Sequence, residues 1–158
     1  MFDDMLDALK ALIRLELTIG ELYAACARQW PEDEPFWLDV SRQEAEHARA
    51  VERMVLLISK KPDHFLTAKA IRVAAVETII AGIERTTDQV RNGRLLKNNL
   101  MAIAVDIENS VMEKKFFEMI KTADPVFLEL CHDIMAQTRE HKQRFEKRLA
   151  GLKTALKT

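Results

Sequence analysis

Apolar residues recur at steps of three and four along most of the chain, which is the spacing of amphipathic helices. Five such segments cover about residues 3–29, 34–59, 65–91, 94–122 and 125–156, and no strand pattern accompanies them. The pattern predicts an all-α protein with a single domain over residues 1–158. Long helices joined by tight loops favour an antiparallel four-helix bundle. Segment 65–91 is then an additional crossover helix between the two hairpins.

The apolar stripe of the second segment contains a carboxylate and an imidazole. In the stretch RQEAEHARA, residues 42–50, Glu44 and His47 fall on the same helical steps as the neighbouring valines. The Glu-x-x-His spacing places both side chains on one helix face, one turn apart. The last segment repeats this spacing with Thr138 and His141, so the two hairpins are predicted to be related by approximate two-fold symmetry.

Glu16 and Glu108 interrupt the apolar stripes of two further segments in the same way. An ionised carboxylate buried without a partner costs roughly several kcal/mol. A bound cation would remove that cost, because carboxylate and imidazole are ligands for iron, manganese and zinc. The inward polar residues therefore predict a metal site in the core.

These residues resemble a known family. Glu16 followed by Leu22-Tyr23, and then the QEAEHA stretch with Glu44 and His47, resembles the ferritin-like superfamily, in particular its rubrerythrin branch. The second half of the chain follows the same template more faintly, from Ala104 to Glu108 and from Thr138 to His141.

The resemblance implies a ferritin-like bundle that holds two iron ions, with manganese or zinc as other possible metals. The ligands carried over by position are Glu16, Glu44, His47, Glu108 and His141. The implied function is that of a di-iron carboxylate protein that acts on dioxygen or peroxide or handles iron. An oxidoreductase of the peroxidase or ferroxidase type is the corresponding enzyme class.

Two features depart from the family pattern. Thr138 stands where the second Glu-x-x-His would have its carboxylate, so Thr138→Glu is predicted to restore the motif. The cysteine-rich, rubredoxin-like tail of full rubrerythrins is absent from this sequence, which leaves the electron donor open. If the site lacks one ligand, Glu77 is the best candidate to replace it.

Two other interpretations stay open. A metal-binding or sensing module with a degenerate, single-metal or empty site would bind without turnover. A purely structural bundle would instead pair its inward acids with Lys115, Arg14 or Arg139, and His141 would be a satisfied buried histidine.

Composition and charge limit the classes of partner and the compartment that the sequence favours. A net charge of −1 gives no basic field for nucleic acid, and no apolar run reaches the roughly 18 residues of a membrane span. Cys26 and Cys131 form no CxxC pair and are predicted to be buried thiols in a reducing cytoplasm. Segment 65–91 has more apolar residues than one bundle face can cover, which predicts a homodimer.

Overall fold

A computed structural model describes residues 2–110 and 112–155, which form a predominantly helical bundle. The helices are α1 (Phe2–Gln29), α2 (Glu34–Lys60), α3 (Val73–Arg91), α4 (Lys97–Asn109), α5 (Met112–Glu118) and α6 (Pro125–Ala155). Two short strands, β1 (Leu66–Thr67) and β2 (Ile120–Lys121), pair antiparallel. The all-α class predicted from the periodicity is confirmed.

The long helices pack as two pairs. Helix α1 lies along α2 and α4 lies along α6, while α2 also contacts α6 and brings the pairs together. A single turn of 3-10 helix, Pro31–Asp33, connects α1 to α2, so these two helices run antiparallel. Helix α3 lies against α1. Helices α1 and α2 form the first predicted hairpin, and α4 packs against α6 as predicted for the second, whereas membership of the ferritin-like fold remains a prediction.

Two predicted helices are shorter than their apolar patterns. In segment 65–91 the helix begins only at Val73, because residues 66–67 pair with residues 120–121 as a two-strand ladder. Segment 94–122 is divided into α4 and α5, with α4 ending at Asn109 and Ser110 following it. Asparagine and serine favour this break, since their side chains compete for backbone hydrogen bonds.

Capping interactions are present at two of the predicted helix ends. Asp124 Oδ1 accepts hydrogen bonds from the backbone N–H groups of Val126 and Phe127, which caps α6. Gly93, just after α3, has a φ of 65°, a conformation that glycine adopts without a steric penalty. The predicted last residue of the final segment, 156, lies outside the described residues.

Three further features concern the predicted dimer, a membrane and the cysteines. Val76, Ile80 and Ile83 of α3 are buried within the chain, and Ile79 is partly buried. Dimerisation through α3 stays a prediction. Among the described helices, none is both long and apolar enough to span a bilayer. Both cysteines are buried and unpaired, as predicted.

Candidate metal centre

The five residues predicted as metal ligands converge in the centre of the bundle. Glu16, Glu44, His47 and His141 are each at most 2% exposed. The side chain of Glu108 is 4% exposed. A sixth residue, Glu113, joins them, and its side chain is 15% exposed. The described ligating atoms form two groups, each with all its atoms within 4.8 Å of one another.

A close approach of α1 and α2 sets the position of the first two carboxylates. Gly20 lies one turn after Glu16, and a Cβ added at Gly20 would lie 3.3 Å from the carbonyl oxygen of Ser41 and 3.4 Å from Cβ of Glu44. The Ser41 hydroxyl donates to the Gly20 carbonyl at 2.7 Å. Glycine therefore allows the helix contact that brings Glu16 and Glu44 to one level.

The first donor group consists of Glu16, Glu44, His47 and Glu113. His47 Nδ1 lies 3.4 Å from Glu44 Oε2, 3.7 Å from Glu16 Oε2 and 4.0 Å from Glu113 Oε1. The second donor group consists of Glu44, Glu108 and His141. His141 Nδ1 lies 2.9 Å from Glu44 Oε1 and 3.8 Å from Glu108 Oε2.

Glu44 belongs to both donor groups. Its Oε1 atom faces His141, whereas its Oε2 atom faces His47. A carboxylate with one oxygen toward each of two imidazoles has the geometry of a bridging ligand.

Glu113 was not predicted as a ligand. On a continuous helix, residues 108 and 113 would point about 140° apart, because successive residues advance by about 100°. The separation of α4 from α5 removes this constraint, so both carboxylates reach the cluster. The sequence signal was the Asn109-Ser110 pair in front of an acidic residue.

Thr138 does face the site, as the alignment with the Glu-x-x-His motif predicted. Its hydroxyl donates to Glu113 Oε2 at 2.7 Å. The carboxylate missing from the last helix is therefore replaced by one from α5, which Thr138 holds. Restoring the motif by Thr138→Glu would now place a second carboxylate against Glu113.

Two glutamines orient the histidines. His47 Nε2 lies 2.8 Å from Gln137 Oε1, and His141 Nε2 is hydrogen-bonded to Gln43 Oε1. An amide oxygen only accepts, so each Nε2–H donates and each Nδ1 faces the carboxylates. Each glutamine precedes the motif on the opposite helix, so the two interactions repeat the predicted two-fold symmetry. The imidazole rings stack with their centroids 5.6 Å apart.

Tyr23 supplies a further contact to the cluster. It is fully buried, and its hydroxyl donates to Glu108 Oε1 at 2.6 Å. Burial and the neighbouring charge of Glu108 raise the pKa of Tyr23, so the phenol keeps its proton.

Burial and mutual repulsion dominate the electrostatics of the metal-free cluster. Burial raises the pKa of Glu16, and the negative charge of Glu113 raises it further. Burial and the negative charge of Glu44 raise the pKa of Glu108 and of Glu113 in the same way. Burial would also raise the pKa of Glu44, but the two histidines outweigh it and hold that pKa well below its usual range.

The carboxylates keep His47 protonated in the metal-free cluster. Burial alone would lower its pKa, but the carboxylates of Glu16 and Glu44 outweigh burial and raise the pKa to about 12. Without a metal, the imidazolium is therefore the cation nearest to the acids.

Several donor atoms of the cluster lack hydrogen-bond partners within the protein and suit a metal ion. Both oxygens of Glu16 and the Nδ1 atoms of His47 and His141 are buried and make no hydrogen bond, although carboxylates lie nearby. Buried polar atoms normally have partners. Carboxylate oxygens and imidazole nitrogens are ligands for iron, manganese and zinc. The cluster can hold a metal ion.

Two predictions are wrong: the substitute ligand Glu77, and the pairing of the inward acids with Lys115, Arg14 or Arg139. Glu77 does not replace a ligand, because it pairs with Arg14 on the surface with 43% of its side chain exposed. Lys115 and Arg139 are exposed. Within the described part of the chain, the ion pairs of the cluster carboxylates involve only histidines. His141 is buried as expected, but its Nδ1 is not satisfied.

Comparison with known proteins identifies no relative of this chain, so the description of the site rests on its geometry. No protein-family model matches the chain, and no curated protein or solved structure matches it significantly.

Proposed function

We propose that this protein is a di-iron carboxylate protein of the ferritin-like, rubrerythrin-like type, which acts on dioxygen or peroxide or handles iron. The observation that carries the proposal is the pair of buried donor groups that share Glu44. The resemblance of the Glu16 and Glu44-x-x-His47 stretches to that family supports iron as the metal.

Charge balance supports two ions rather than one. The cluster has four carboxylates, Glu16, Glu44, Glu108 and Glu113, and its two histidines are neutral when they act as ligands. Two divalent cations would balance these four negative charges. A single divalent ion would leave two charges uncompensated in the core, at a cost of roughly several kcal/mol.

Each residue has a distinct role in this proposal. Glu44 would hold both ions, Glu16, His47 and Glu113 would hold the ion of the first donor group, and Glu108 and His141 would hold the ion of the second. Two ferrous ions bound there would supply the electrons that reduce a small oxidant. Tyr23 holds a proton at its hydroxyl oxygen, 2.6 Å from Glu108, where it can stabilise charge on that ligand.

Anaerobic titration of metal-free protein with ferrous ion tests the proposal. We expect two ions per chain, followed by loss of ferrous ion when dioxygen or peroxide is added. The triple variant Glu44→Leu, His47→Leu, Glu108→Leu should bind neither ion, whereas Glu77→Gln, a surface control, should bind both. Binding of less than one ion per chain to the parent protein would refute the proposal. An unfolded triple variant would also bind no metal, so circular dichroism must show that the variant is folded.

A module that binds or senses metal without turnover is the second candidate. The inequality of the two donor groups favours it, since the first has four residues and the second three. One tight and one weak site, with no oxidation of ferrous ion by dioxygen or peroxide, would select this candidate over the first.

We also propose a homodimer in a reducing compartment such as the cytoplasm. The two unpaired buried thiols support the compartment, and the partly exposed Val73 and Ile79 of α3 support the dimer. A monomer by light scattering at micromolar concentration would contradict the dimer.

A further inference from the structure

A cavity of about 220 Å³ opens beside the cluster, where α4 and α5 meet α6. Glu108, Glu113 and Thr138, which belong to the site or hold it, contribute to its wall. The cavity therefore connects the cluster to solvent. It is smaller than the roughly 300–1,000 Å³ of pockets for drug-sized ligands, so only a small molecule fits.

Three basic side chains line the same cavity: Lys114, Arg139 and Lys142. Two of them have carboxylate neighbours outside the cavity, since Lys114 lies 3.7 Å from Glu118 and Lys142 lies 3.7 Å from Glu146. These pairs are exposed and weak. Arg139 makes no ion pair within residues 2–110 and 112–155. Its guanidinium is available to an anion, which it can bind through two parallel N–H groups.

The sign of the field in the cavity depends on metal. Without metal, the carboxylates of Glu108 and Glu113 oppose an anion. Two divalent cations would neutralise the four carboxylates of the cluster, and the basic residues would then set the local potential. In this respect the inference rests on the proposed function.

Asn109 and Met135 complete the wall, and most of the surface inside the cavity is apolar. Met135 lines the cavity, and the aliphatic stems of the two lysines add to its apolar surface. An inorganic oxyanion would make no favourable contact with these apolar groups. A ligand with an apolar body and one negative group would contact both the apolar surface and the basic side chains.

We propose that this cavity binds a small organic monocarboxylate as a second substrate or effector of the metal centre. Arg139 holds the carboxylate, assisted by Lys114 and Lys142. The apolar part of the ligand packs against Met135, next to Glu108 and Glu113.

Benzoate and the neutral benzyl alcohol are suitable probes, titrated by calorimetry into protein loaded with zinc, which is redox-silent. We expect benzoate to bind at least tenfold more tightly than benzyl alcohol. Arg139→Gln should weaken benzoate binding at least fivefold with unchanged zinc content, and Met135→Trp should abolish it by filling the cavity. Arg49→Gln, an exposed arginine outside the cavity, should leave benzoate binding unchanged.

Equal binding of the two probes, or benzoate binding that Arg139→Gln does not weaken, would overturn the inference. Absence of benzoate binding to protein with full zinc content would also overturn it, while the proposed metal centre would stand. Conversely, a protein that binds no metal but binds benzoate through Arg139 would refute the proposed function and the metal dependence of the cavity, and would retain the cavity as a carboxylate site.

Discussion

The hydrogen bond from Thr138 to Glu113 gives a sharp test of the ligand that sequence did not predict. Thr138→Val removes the hydroxyl and keeps the shape of the side chain. The bond is 2.7 Å long, within the usual range of an O–H group donating to a carboxylate. Its loss leaves Glu113 free to turn away from the first donor group, which is the group that also contains Glu16 and His47.

The magnitude follows from the environment of the bond. A hydrogen bond to a charged group contributes about 1.5–3 kcal/mol, which corresponds to roughly a 10- to 150-fold change in affinity. The side chain of Glu113 is 15% exposed, so water can replace part of the lost bond. We therefore expect the lower end, about a tenfold weaker first site. Loss of outer partners of metal ligands typically has effects of about 10- to 100-fold.

Competition with a chromogenic chelator, using cobalt as a spectroscopic probe, measures the two binding constants separately. The first site should weaken about tenfold in Thr138→Val, and the second should change by less than about threefold. Thr138→Ser keeps the hydroxyl and should bind metal with the same affinity as the parent protein. Thr86→Val removes a hydroxyl that bonds only a helix carbonyl, and should have no effect. Equal affinities in parent and Thr138→Val would show that the Thr138 hydroxyl does not hold Glu113 at the first site.

Three further predictions address the helix contact, the protons and the cap. Gly20→Ala should lower the melting temperature and weaken metal binding, because its Cβ would lie 3.3 Å from the Ser41 carbonyl and overpacking costs about 1–3 kcal/mol. Gly151→Ala, with no atom within 4 Å of its Cβ, should instead stabilise by about 0.5–1 kcal/mol; equal effects at both glycines would refute the close contact. Metal binding should release protons at pH 7, because the pKa of His47 is raised to about 12 and metal must displace that proton, so affinity should fall as pH falls. Calorimetric enthalpies that are identical in buffers of different ionisation enthalpy would contradict this. Asp124→Ala should cost about 0.5–2 kcal/mol in urea unfolding through loss of the α6 cap, and an unchanged midpoint would refute that role.

Local periodicity was sufficient for three of the long helices and for most of the site. Apolar steps of three and four, together with proline, glycine and Asp-Pro positions, predicted the bounds of α1, α2 and α6 to within a residue or two in the described part of the chain. The same periodicity identified Glu16, Glu44, His47, Glu108 and His141, because an ionisable residue on an apolar stripe must point inward wherever the stripe is buried. The structure brings these five together.

The tertiary structure decided the last ligand and the orientation of the histidines. Glu113 lies off the stripe of a continuous helix, and it reaches the cluster only because α4 ends at Asn109 and α5 begins at Met112. Periodicity assumes an unbroken helix, so it did not place Glu113 at the site, and Glu77, a lone carboxylate in an apolar segment, was named as the substitute ligand. The contacts of Gln43 and Gln137 join residues that are 98 and 90 positions apart, and no local pattern determines which residues face each other across a bundle. Packing between helices makes that choice, because it depends on the shapes of all the side chains at the contact at once.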